Sequence, residues 1–166
     1  MFNFRFALVC CALVTSAFSV SAQEAQEAQV AFGAVKADPS LPVEVTSEKL
    51  NVNQEDGSAE FLGDVIVIQG EMRLTAERVL VIYNEERSGI ERMEATEDVV
   101  LVSPPDAAEG DWAEYTIDSG EIVMKGNVLL TQGPSTISGD QMNADLTAGT
   151  ATMTGNVKTI LQPGGN

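Results

Sequence analysis

The chain repeats itself with a period of 29 residues, and so short a unit cannot bury an apolar face alone, so its copies must stack on one another. One phrase, Gly63-Asp64-Val65, returns as Glu97-Asp98-Val99, Gly126-Asn127-Val128 and Gly155-Asn156-Val157. A second phrase alternates with it: Ser47-Glu48, Ala76-Glu77, Gly110-Asp111 and Gly139-Asp140. Intervals of 13 residues separate Asp64 from Glu77, Asp98 from Asp111 and Asn127 from Asp140. Intervals of 16 separate Glu48 from Asp64, Asp111 from Asn127 and Asp140 from Asn156. The stretch from Glu77 to Asp98 measures 21 residues and so carries five extra.

Both segments read as strand pairs. After the acidic residue, apolar side chains alternate: Val79, Val81 and Tyr83, then Ala113, Tyr115 and Ile117, then Met142, Ala144 and Leu146. Period two marks a strand with one buried face. A glycine then turns the chain, at Gly57, Gly120 and Gly149, and alternation resumes through Ala59 and Phe61, Ile122 and Met124, or Ala151 and Met153. Each 16-residue segment is therefore a hairpin. In the enlarged copy the turn at residues 83–89 is longer, and that hairpin is expected to project. The 13-residue segments open on denser apolar runs at 65–68, 99–102 and 128–130, and turn at Gln69-Gly70, Ser103-Pro104-Pro105 and Gln132-Gly133-Pro134. Leu74 and Val79 are five apart, as are Ile137 and Met142, so parity breaks between them. A bend or bulge at Thr75-Ala76-Glu77 and at Ser138-Gly139-Asp140 would restore the buried face.

These features predict an all-β, elongated, repeat-built β-jellyroll, a double sheet of V-shaped section. A parallel β-helix is the alternative, since unequal turns in a fixed unit suit either geometry.

The first 22 residues read as a signal peptide: a positive start at 1–5, an apolar run of 13 at 6–18, and Val20-Ser21-Ala22 before Gln23. The apolar run is short of the roughly 20 residues needed to span a bilayer. Residues 23–40 are expected to be a flexible leader, 41–162 the repeat domain and 163–166 a tail. Cys10 and Cys11 both lie in the signal, so the exported domain must rest on its apolar core without disulfides. With Arg5 gone, the 9 basic side chains fall to 8 against 25 acidic ones, a formal charge of −17. Such a surface repels nucleic acid and anionic bilayers.

Residues 66–79, Ile-Val-Ile-Gln-Gly-Glu-Met-Arg-Leu-Thr-Ala-Glu-Arg-Val, together with Met124-Lys125-Gly126-Asn127-Val128 and Met153-Thr154-Gly155-Asn156-Val157, resemble the OstA-like domain of the LptA family. The resemblance covers residues 41–162. It implies a periplasmic protein of outer-membrane biogenesis that binds lipopolysaccharide, with acyl chains between the sheets and phosphorylated sugars exposed. Its implied partners are an inner-membrane export complex and an outer-membrane translocon carrying the same jellyroll, and end-to-end copies of itself. On that reading Val65, Val67, Leu101, Val128, Leu130 and Met142 are the acyl-groove candidates, because they recur in strand register. Lys49, Arg73, Arg78 and Lys125 are the head-group candidates. Val43 and Val45 at one end, and Val157, Thr159 and Leu161 at the other, lie on strands open to partner addition.

The sequence holds no histidine, and its carboxylates are too numerous for any pair to single itself out, so no catalysis and no cofactor are expected. Asp64 and Asp98 could stack around a cation, but the same ladder continues as Asn127 and Asn156, which points to structural capping and no metal. Other readings are a membrane-anchored sister subunit of the same export system and a β-solenoid scaffold without lipid.

Overall fold

The computed structural model describes residues 28–33, 38, 40–55 and 57–162. The expected signal peptide and the tail at 163–166 lie outside the described residues. Eleven strands form among the described residues: β1 (Ala28–Ala31), β2 (Glu44–Thr46), β3 (Lys49–Asn53), β4 (Ser58–Gln69), β5 (Met72–Tyr83), β6 (Ile90–Ser103), β7 (Asp106–Thr116), β8 (Glu121–Gln132), β9 (Ser135–Asp145), β10 (Thr150–Thr154) and β11 (Lys158–Ile160). From β4 to β9 each strand pairs with its sequence neighbour, and every ladder is antiparallel. That excludes the parallel β-helix and gives the elongated, unclosed sheet of a β-jellyroll.

Each long strand crosses a corner near its middle. The corner half of one repeat and the turn half of the next thus lie on two walls. The first wall contains the 16-residue hairpins with β1, β3 and β10; the second contains the 13-residue hairpins with β2 and β11. Side chains from both walls join one apolar cluster, with Val79, Ile122, Met124, Met142 and Met153 from the first and Val65, Leu101, Val128 and Leu130 from the second. The 13- and 16-residue intervals of the sequence are the two walls counted along the chain.

The corner itself explains the repeated phrases. At Gly63-Asp64, Glu97-Asp98, Gly126-Asn127 and Gly155-Asn156 both residues have left-handed backbone, with φ of 78° and 49° at Gly126 and Asn127. Asn127 donates through Nδ2 to Asp111 Oδ2 at 2.9 Å, and Asn156 does the same to Asp140 at 2.8 Å. The acid and the amide sit 16 residues apart because a hairpin brings them face to face across the bend. The parity break falls on β5 and β9 where the alternation places it. The extra residue, however, is carried by the strand opposite: Leu62 to Val65 spans three steps on β4 against two on β5, Arg78 to Ala76. Two left-handed residues in succession make the bulge, supplied by Gly-Asp or Gly-Asn at three corners and by Glu97-Asp98 at the fourth.

Glu97 departs from this pattern, since it holds φ of 67° where the matching corners have glycine. Left-handed backbone costs a residue with a Cβ about 1–2 kcal/mol. Glu97→Gly is therefore expected to stabilise the fold by about 0.5–1 kcal/mol, after the extra freedom glycine gives the unfolded chain. Thermal unfolding should rise by about 2–4 °C; a melting temperature that falls would show that the Glu97 side chain holds the corner.

The enlarged hairpin folds back onto its neighbour. Asn84 closes the turn by accepting the Ser88 N–H at 2.9 Å, and Arg87 reaches over to donate to the Gln54 carbonyl at 2.9 Å. Within the stretch read as a leader, Ala28–Ala31 pairs with β10 and Phe32 is buried in the core.

Candidate functional site

The seam between the walls is the candidate site. All six acyl-groove candidates line it: Val65, Leu101, Val128, Leu130 and Met142 are 0% exposed and Val67 1%. They are brought together by register, with Val67 opposite Leu74, Leu74 opposite Leu101, Leu101 opposite Ala108 and Ala108 opposite Leu130. A straight apolar row thus crosses the second wall from strand to strand.

The first wall answers it with methionines. Met124 pairs directly with Met142, and Met142 with Met153, so three thioethers stand side by side across β8, β9 and β10. Met93 continues the lining beside Tyr115. Unbranched, polarizable side chains repack readily around a guest of changing shape. Of this ladder the candidate set named only Met142; Met124 and Met153, each three residues before a corner asparagine, share a repeat position of their own that carries the missing signal.

Toward β2 and β3 the seam opens. Leu50 stands opposite Phe61 and Val52 opposite Ala59, hence on the inner face, yet Leu50 is 52% and Val52 63% exposed. Tyr83 is half-exposed nearby, and a depression of about 280 Å³ lies between Val52, Gly57, Ser58, Tyr83 and Arg87. Val43 and Val45 pack partly against the core on the opposite wall. At the other end Val157 is partly buried, Thr159 stands opposite Ile137 on the inner face, and Leu161 is exposed.

Polar groups gather at the rim of the second wall, where its turns lie. Tyr115 reaches across from the first wall and donates to Gln69 Oε1 at 2.8 Å, tying the two walls at the mouth. Burial pushes the Tyr115 hydroxyl above its usual pKa, which keeps it a neutral donor. Gln69 in turn donates to the Leu41 carbonyl at 3.1 Å. Asp106, also buried, accepts from Gln132 at 3.1 Å and from the Gly33 N–H at 2.8 Å.

The head-group candidates point away from the seam. Lys49 pairs with Leu62 and Arg73 with Ile68, both on the outer face. Arg78 is bound to Glu60 at 2.7 Å, and its guanidinium holds that carboxyl below the usual range. Lys125 lies over the Trp112 ring at 4.9 Å. Among the described residues no group of three acidic side chains stands close enough to hold a metal ion.

A long antiparallel sheet, folded along a line of left-handed corners around an apolar seam, defines an OstA-like β-jellyroll. The family model for the LptA/(LptD N-terminal domain) LPS transport protein matches residues 44–150, and this chain belongs to that family. Membership places it with the periplasmic proteins of lipopolysaccharide transport. It is similar to the uncharacterized protein R00383 of Rhizobium meliloti (strain 1021), at 30% identity over 100 residues, 55% of this chain and 54% of that protein. The match thus spans about half the length of that relative. Among solved structures it is similar to LptH of Pseudomonas aeruginosa, the LptA-homologous periplasmic component of the lipopolysaccharide transport device. The TM-score is 0.70 over 76% of this chain and 99% of that one. At 19% identity the likeness is one of fold.

Proposed function

We propose that the chain carries lipopolysaccharide across the periplasm by holding its acyl chains between the two walls. It would pass them from an inner-membrane export complex toward an outer-membrane translocon. The observation that carries this reading is the methionine ladder facing an aliphatic row, open on the inner face at Leu50 and Val52. Burying a chain of about 12 carbons is worth on the order of 10 kcal/mol before entropic losses, enough to retain a lipid without any reaction. Forward movement then needs an outside push and a next groove of similar affinity. The strands β2, β3 and β11, uncovered among the described residues, are where like-folded partners or further copies would join, through Val43 and Val45 at one end and Val157, Thr159 and Leu161 at the other.

A scaffold without lipid is the second reading, favoured by the closure of the central seam, where all six candidates are at most 1% exposed. Photocrosslinking in cells separates the two. A photoreactive residue at Val67 or Leu130 is expected to capture lipopolysaccharide, and one at Lys125, on the outer face, much less. Equal labelling at all three, or none at either apolar position, would leave the scaffold.

A further inference from the structure

The sheet ends in four edge segments, β2 and β3 at one end and β10 and β11 at the other. Three of them pair on one side only among the described residues, but β10 is covered. Its partner is β1, from the start of the same chain, with Ala28 opposite Met153 and Ala31 opposite Thr150. Four residues make a short ladder, Gln29 is exposed and Val30 only partly buried, so most of the grip lies just beyond it. Phe32 is 1% exposed, and its N–H donates to the Gly149 carbonyl at 3.0 Å. The next contacts fall on the other wall. Gly33 donates to Asp106, and Gln132 donates to the Ala31 carbonyl at 2.6 Å. Six residues thus clip the edge of the first wall to the rim of the second, across the mouth of the seam.

β1 also occupies a particular place and direction. β3 is antiparallel to β4, and β10 is antiparallel to β9. Five hairpin turns separate β4 from β9, so those two run in opposite senses, and β3 and β10 do likewise. A second copy stacked end to end would therefore lay its β3 antiparallel against β10, as β1 lies now. The side chains agree: β3 offers Leu50 and Val52 to the inner face two residues apart, and β1 with its extension offers Val30 and Phe32. On the second wall β11 has no such cover among the described residues, so the β2 of an incoming copy can pair there first.

We infer that residues 28–33 are an exchangeable strand held in cis on the docking edge of β10, and that the β3 of a second copy displaces them. Docking begins on β11 and completes on β10. Because the displaced residues also pin the mouth through Asp106 and Gln132, docking and opening of the seam are one event. The strand exchange stands without the carrier reading; the meaning of the opened mouth rests on it.

Gln29 and Thr152 face each other directly, in a pair flanked by the bonded partners Phe32 and Gly149 three residues on. By alternation theirs is a non-hydrogen-bonded pair with Cα atoms about 4.5 Å apart, within reach of a disulfide. The test uses the exported full chain carrying Gln29→Cys and Thr152→Cys, with Cys10→Ser and Cys11→Ser. Sedimentation over a concentration series reads self-association, and uptake of a fluorescent fatty acid reads the seam. Oxidation is expected to weaken association at least tenfold and to lower uptake, reduction to restore both, and Phe32→Ala to strengthen association. Equal association in the oxidised and reduced states, or none in either, overturns the exchange. Unequal association with equal uptake overturns the coupling to the mouth. Absence of uptake in both states, with no lipid captured at Val67 or Leu130, counts against the carrier reading while the association series still judges the exchange.

Discussion

Leu101→Ala is expected to lower the unfolding free energy by about 3–4 kcal/mol, while Leu50→Ala changes it by no more than about 0.5 kcal/mol. Leu101 is 0% exposed and stands in the middle of the row, between Leu74 on β5 and Ala108 on β7. Its removal takes away the transfer free energy of the buried methyls and leaves a void that flanking strands cannot close, because their register is fixed by the corners on either side. Leu50 shares the same inner face, but no wall covers it, and 52% of it already meets water. Urea unfolding of both variants checks the contrast, with a fall in melting temperature of about 10 °C for Leu101→Ala. Equal small losses would mean that the seam is loosely filled at its centre. The pair of variants also separates residues that hold the protein together from residues free to meet a ligand.

Gly126→Ala should cost about 2–3 kcal/mol and Gly133→Ala about 1 kcal/mol, although both glycines have left-handed backbone. The shared part is the strain of placing a Cβ at φ of 78° or 56°. The difference lies in what the new methyl would meet. At Gly133 nothing stands within 4 Å, whereas at Gly126 the methyl would run into Asp111 Oδ2 and lie 2.9 Å from its Cβ. Asp111 cannot swing aside without releasing Asn127, so the substitution also removes the bond that closes the corner. Thermal melts of the two variants, with Asp111→Ala/Gly126→Ala as the double substitution, test this. A double variant no less stable than Gly126→Ala alone would confirm that the clash and the lost bond are one effect.

The repeat made much of this architecture legible. The interval of 16 between Asp111 and Asn127 is a contact across a hairpin, and the alternation of Val79 with Val81, or Ile122 with Met124, names the buried face before any fold is known. The parity break between Leu74 and Val79 locates the bend. It could not say which strand carries the extra residue, because that depends on two successive left-handed conformations and not on hydropathy. That Val65, Val67, Leu101, Val128, Leu130 and Met142 face inward was legible for the same reason, since residues in one register share a face. Whether that face is empty or filled depends on the distance between the walls, which no strand pattern encodes. The cations were harder still. Arg78 and Lys125 looked available for a head group until their neighbours, Glu60 and Trp112, were seen beside them on the outer face. Ala28–Ala31 carried no visible signal at all. A four-residue segment of alanine, glutamine and valine resembles a spacer, and its partner strand β10 begins more than a hundred residues later.

The corner clasps give the molecule a built-in ruler. Asp111 and Asp140 each find their amide 16 residues away, and each unit contributes two neighbouring strands, so neither clasp refers to the total length of the chain. Adding or removing one whole unit would change the reach of the protein by two strand spacings, about 10 Å, while leaving the two ends in the same opposed orientation. A fraction of a unit is accommodated where it lengthens a turn, as the five extra residues between Glu77 and Asp98 do. The length of such a sheet is thus quantised by its own fold line.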